Sequence, residues 1–328
     1  MSDKKNIFMM TEKNRIAKEK KSDKRLRLAL FLLFLLFFTP SCNSSKRPYT
    51  TPFSDTATKT AQFIAQTMKA DNMVGLSIAL VSDGRIVWAE GFGWADKENR
   101  IPASPETAYM LGSGSKTLTT VALLQLMERG LVFLDDPADR HLPEFRLAPR
   151  YPDQMALITV QRLLNHHSGL PGDIYNGGFV EEAWNQWGCN LYIDWLFNYL
   201  KDDYPSYEPG EISVYCNTGF VLAGEIALRL GGIGGETFDE FMIRQLFQPL
   251  KMDSSGFRAT PSMAVGYVGG QPVPSAESNC VFGATGGAVT TVLDIGRFLA
   301  MILDQGAAPG GERCENGVRC ENGVMENG

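Results

Sequence analysis

A chain of 328 residues with 44% hydrophobic, 10% aromatic and 21% charged side chains lies in the ordinary globular range, which excludes a wholly disordered protein. Its 31 basic and 37 acidic residues give a net charge of −6, yet ten basic and four acidic residues fall within 1–27, leaving 21 against 33 in the remainder. An acidic body excludes a nucleic-acid binder, which needs a basic footprint to neutralise phosphates.

The basic stretch Lys20 to Arg27 runs into eleven apolar residues, Leu28 to Phe38. That is signal-peptide length and short of the ~20 residues needed to span a bilayer. Thr39-Pro40-Ser41-Cys42 follows and is similar to a lipoprotein cleavage site, with Cys42 as the lipidated residue. An ordinary cleaved signal or a short anchor is the other reading. The expected organisation is a signal segment over 1–42, a linker over 43–57, one domain over 58–305 and a tail over 306–328. The expected location is the periplasm or cell envelope, with the membrane met only through the N-terminal lipid.

Within the body, Asp55 to Lys69 has the 3.6-residue recurrence of a helix. Leu76 to Val81, then Ser82-Asp83-Gly84, then Arg85 to Phe92 form a hairpin pattern around an Asp-Gly turn. Thr117 to Arg129 is expected to be helical and to stop at Gly130. Thr159 is placed to cap a helix beginning at Val160. Asp173 to Tyr207 holds ten aromatic residues, and Leu191, Trp195, Leu196, Tyr199 and Leu200 fit one helix face. Those rings read either as core or as a wall over a substrate cleft. Thr218 to Leu230 is a further helix, and Gly231 to Gly235 reads as its cap and turn rather than a phosphate loop, because it follows a helix and lacks a Gly-Lys-Ser/Thr ending.

The tail repeats one hexamer, Arg313 to Val318 and then Arg319 to Val324, without apolar periodicity, so it is expected to be disordered. Cys189, Cys216 and Cys280 in the body have no regular spacing and specify no disulfide framework. Three histidines, two of them adjacent as His166 and His167, give no zinc-ligand spacing, and no metal or cofactor is expected.

The chemistry concentrates in Ser113-Gly114-Ser115-Lys116 at the start of a helix. A spacing of three residues is nearly one helical turn, so the Lys116 nitrogen reaches the Ser113 hydroxyl. The helix N-terminus also offers free N–H groups to a developing anion. A hydroxyl is a poor nucleophile until a neighbouring base takes its proton. Tyr215-Cys216-Asn217, the only Tyr-x-Asn in the chain, offers a second polar pair just before a predicted helix. Its bland reading is a loop tyrosine and an N-cap asparagine.

Seven segments in order resemble the serine β-lactamase-like family of class C β-lactamases, D-Ala-D-Ala carboxypeptidases and related esterases. They are Gly75 to Val81, Gly112 to Thr117, Leu131 to Pro137, Leu163-Leu164-Asn165-His166-His167-Ser168-Gly169-Leu170-Pro171, Tyr215 to Phe220, Leu246 to Met252 and Gly286 to Ile295. The resemblance implies an α/β (α+β) fold, an antiparallel sheet flanked by helices with a helical subdomain. It implies Ser113 as the acylated nucleophile, Lys116 easing its deprotonation and Tyr215 as base or relay, with the choice between Lys116 and Tyr215 open. Asn217 would position the substrate or Lys116, and the Ser113 N–H would form half of an oxyanion hole.

The substrate expected is a β-lactam, a peptidoglycan-type D-Ala-D-Ala peptide or a small ester. One family element, Lys/His-Ser/Thr-Gly, has no match after Met301, so the domain is expected to be incomplete, its C-terminal strands missing. The competing expectation is therefore a non-catalytic envelope protein.

Overall fold

A computed structural model describes residues 53–171, 189–273 and 283–306. The apolar run 28–38, Cys42, Cys280, the repeat tail and most of the aromatic-rich segment before Cys189 lie outside the described residues.

Helix α1 (Ser54–Ala70) precedes the strands β1 (Gly75–Ser82) and β2 (Arg85–Asp96). The turn between them holds Asp83 and Gly84 at φ 49° and 67°, the doubly left-handed geometry that an Asp-Gly pair adopts most readily. A bulge at Leu80/Val81 shifts the register, which pairs Leu80 with Trp88 and Val81 with Ile86. Leu76, Ile78, Leu80, Trp88 and Phe92 pack with Ala57 and Ile64 of α1. β3 (Ile101–Pro102) pairs with β2 to give the order β1-β2-β3, so among the described residues β1 is an outer strand.

β4 (Ala108–Met110) leads through a 3₁₀ turn (Gly112–Gly114) into α2 (Ser115–Glu128). This helix starts two residues earlier than its apolar pattern alone predicts. Leu118, Ala122, Leu123 and Leu126 are buried on it, and Gly130 at φ 71° ends it, with its N–H on Met127 and that of Leu131 on Leu126. Three short helices follow, α3 (Ala138–His141), α4 (Gln154–Leu157) and α5 (Val160–Leu164). Thr159 caps α5 by accepting the Arg162 N–H, as its position predicts.

Helix α6 (Cys189–Leu200) buries Leu196, Phe197 and Leu200. Tyr199, expected on the buried face, is 42% exposed, and Phe197 takes the place in the core. Helix α7 (Asn217–Gly231) is buried nearly all round, as a central helix must be. It packs against α2, and their residues join Phe145, Leu163, Phe241 and Phe247 in the principal core. Gly232 caps it and Gly234 and Gly235 turn with positive φ, which agrees with the cap-and-turn reading.

α8 (Phe238–Met242), capped by a reciprocal Thr237–Glu240 pair, runs into a π-helical turn (Ile243–Phe247). The hairpin of β5 (Gly266–Val268) and β6 (Gln271–Val273) follows. β7 (Val289–Thr291) pairs antiparallel with β4, matching Met110 to Val289. α9 (Val292–Leu303) then covers β1 and β2 on the face opposite α1, where Gly296 lets Ile86 approach to within 3 Å of where a Cβ would stand. An antiparallel sheet flanked by helices, with a helical part built on α2 and α7, is the architecture expected.

Candidate active site

The β4–β7 pairing brings residues 284–288 to the start of α2. Leu111 N–H donates to the Ala288 carbonyl at 2.7 Å, and Ala288 N–H donates to Ser115 Oγ at 3.1 Å. Ser115 in turn donates to the Gly112 carbonyl at 2.8 Å, which fixes the 3₁₀ turn carrying Ser113. Thr119, fully buried, donates to the Ala284 carbonyl at 2.9 Å. On the other side, Ala284 presses against α7 at Gly224, where a Cβ would lie 2.5 Å from its methyl group. The Ser113 turn is therefore stitched into the core from two directions.

Lys116 is 6% exposed. Its Nζ donates to the Thr285 carbonyl at 2.7 Å and to Ser113 Oγ at 3.3 Å. Among the described residues no carboxylate comes within ion-pair distance of it. A buried cation without an anion is costly, and the carbonyl and ring faces around it replace part of its lost hydration. Nζ lies 4.8 Å from the Tyr215 ring centre and 5.6 Å from that of Phe220.

Tyr215 arrives from the opposite wall. Its hydroxyl is 2.6 Å from Ser113 Oγ across a sequence separation of 102 residues. Cys216 is extended, at φ −140° and ψ 108°, and its sulfur caps α7 by accepting the Gly219 N–H. Asn217 is thus not the cap but the first helical residue, half-buried on the face that also carries Phe220. Ser113, Lys116 and Tyr215 meet; Asn217 stands at the helix start, two residues after Tyr215.

His166, at φ 64°, holds the tyrosine segment. Its carbonyl accepts the Val214 N–H at 2.9 Å and its Nδ1 accepts the Cys216 N–H at 3.2 Å. Its ring centre is 4.5 Å from that of Tyr215 and 5.3 Å from that of Phe220. Burial, then the Lys116 charge, then His167 hold the imidazole below the ordinary histidine range.

This constellation suits nucleophilic catalysis, because a hydroxyl, a proton acceptor and a buried cation share one contact. Sequence reasoning missed Thr285, Ser115 and His166. A backbone carbonyl has no residue-type signature, whereas His166 lies within the family-like segment Leu163 to Pro171 and carries a signal there. A separate groove lined by Met68, Trp94, Tyr109, Met110 and Tyr267 includes none of the three meeting side chains.

The helix-flanked antiparallel sheet is a fold of the β-lactamase and penicillin-binding-protein class, whose members are serine-hydrolase-like. The family model described as Beta-lactamase matches residues 60–315, and the chain belongs to that family. Protein flp of Staphylococcus aureus (strain N315) is 27% identical over 228 residues, covering 68% of this chain and 44% of that protein. The human mitochondrial serine beta-lactamase-like protein LACTB is 42% identical over 96 residues, 29% of this chain and 17% of that one. The chain therefore spans less than half the length of these curated relatives. Among solved structures, the octameric penicillin-binding protein homologue from Pyrococcus abyssi is similar with a TM-score of 0.63 and 30% identity, over 76% of this chain and 57% of that chain.

Proposed function

We propose that the protein is an exported serine hydrolase that works through an acyl-enzyme on Ser113. The observation that carries this reading is the contact of Ser113 Oγ with Tyr215 at 2.6 Å and with Lys116 at 3.3 Å. The shorter contact and the commitment of Lys116 to the Thr285 carbonyl favour Tyr215 as the group that takes the serine proton. Ser113 Oγ attacks the substrate carbonyl carbon and forms the new C–O bond. Tyr215 takes the Ser113 proton while passing its own to the leaving nitrogen or oxygen as that bond breaks. Lys116 stabilises the negative charge that grows on this oxygen pair. Water then cleaves the ester by the reverse relay and frees Ser113.

The exposed position of Ser113 at the helix start suits a carbonyl substrate arriving from solvent. The substrate class proposed is a β-lactam, a D-Ala-D-Ala peptide or a small ester, all of which present such a carbonyl. Export is supported by the basic stretch and apolar run over 20–38 and by Cys42, which would carry the lipid.

Incubation with a fluorescent penicillin and, separately, with a fluorophosphonate tests the proposal. Covalent label on the native protein that is absent from Ser113→Ala is the expected result. Folded protein that takes neither label contradicts it and favours a non-catalytic envelope protein.

A further inference from the structure

Resting on the reading of Tyr215 as the proton relay, we infer that His166 is a positioning residue that clamps Tyr215 onto Ser113 and releases it when its ring takes a proton. The clamp has three contacts, and they bracket the tyrosine. The His166 carbonyl holds Val214 on one side, its Nδ1 holds Cys216 on the other, and its ring lies against the Tyr215 ring between them. Tyr215 itself is 49% exposed, so core packing does little to fix it. The left-handed backbone of His166 turns carbonyl and ring toward the same segment, Val214 to Cys216, a conformation that is uncommon outside glycine and tolerated by His and Asn.

Only an unprotonated Nδ1 can accept the Cys216 N–H. Protonation removes that bond and sets a second positive charge beside Lys116. Among the described residues, the titratable groups that face the ring are Lys116 from α2, Tyr215 and Cys216 from the segment entering α7, and His167 from its own loop. None is a carboxylate that would welcome an imidazolium. Burial and Lys116 hold the ring neutral until the pH falls below the ordinary histidine value of 6.5. The clamp is thus closed at neutral pH and opens on acidification.

Two substitutions separate the clamp from mere structural support. H166G keeps the left-handed backbone but removes ring and acceptor. H166N places an amide oxygen near the Nδ1 position, tolerates the same backbone and cannot titrate in this range. The measurement is the rate of Ser113 acylation by a fluorophosphonate between pH 4.5 and 8.5, on protein whose folding is checked by circular dichroism at each pH. The native protein is expected to lose rate below pH 6.5. At neutral pH H166G should be slower by about 10-fold or more, as expected for a misplaced catalytic group. H166N should recover most of that loss and lack the acid fall. H166G at the native rate, or an acid fall that persists in H166N, overturns the inference.

Native protein that takes no label defeats the hydrolase reading instead. The clamp is then read by NMR, in which the Cys216 amide must shift along the His166 titration. A Cys216 amide indifferent to that titration overturns the clamp by itself.

Discussion

The two walls of the site are held by different physics. On the Ser113–Lys116 wall, Ser115, Thr119 and Lys116 are buried and bonded to residues 284–288, so the nucleophile is fixed by the same contacts that hold the core together. On the Tyr215 wall the side chain is half-exposed, and its backbone is held by the flanking N–H groups of Val214 and Cys216 donating to His166 of one neighbouring loop. The contrast teaches that stability and reactivity are entangled on the first wall and separable on the second. Damage to the serine wall should show in both melting and rate; damage to the tyrosine wall should show in rate alone.

The largest effect is expected from Lys116→Met. Loss of the cation that faces the growing negative charge should slow acylation by about 10²–10³-fold. The Lys116 hydrogen bond to the Thr285 carbonyl is lost, at a cost of about 1–3 kcal/mol, but a costly buried charge disappears as well. Melting temperature followed alongside the rate shows which of these wins on the serine wall. Tyr215→Phe comes next. Stopped-flow acylation should fall by about 10²-fold, while the melting temperature stays within the range of a surface substitution, about 0.5 kcal/mol. A large loss of stability in this variant would erase the distinction between the walls.

Thr119→Val has the smallest effect. It removes one buried hydrogen bond to Ala284 and should cost about 1 kcal/mol, read as a fall of roughly 2–4 °C in melting temperature. Because Ala284 adjoins Thr285, a few-fold loss of acylation rate should accompany it. Stability lost with no change in rate would show that residues 284–288 do not support Lys116.

Much of this was legible in the sequence where the cause is local. Asp83-Gly84 dictates its own turn, and the apolar spacing from Leu118 to Leu126 dictates a helix face. The Ser113, Lys116 and Tyr215 constellation was legible because one helical turn and one ordered set of segments pointed to it. What escaped has non-local or side-chain-independent causes. The Thr285 carbonyl reaches Lys116 across 169 residues through the backbone, which every residue possesses. Cys216 caps α7 with sulfur, a weak acceptor outside the usual capping set. Periodicity in α6 could not tell Phe197 from Tyr199, because apolar and aromatic residues run nearly all the way round that helix.

The central claim is that Ser113 forms the covalent bond. Ser115 stands two residues away, and its hydroxyl is spent on the Gly112 carbonyl and the Ala288 N–H. Tryptic digestion of fluorophosphonate-labelled protein should yield the peptide Ile101 to Lys116, which contains both serines. Fragmentation mass spectrometry of that peptide is predicted to place the whole adduct on Ser113. An adduct on Ser115, or on Tyr215 in another peptide, would contradict the account.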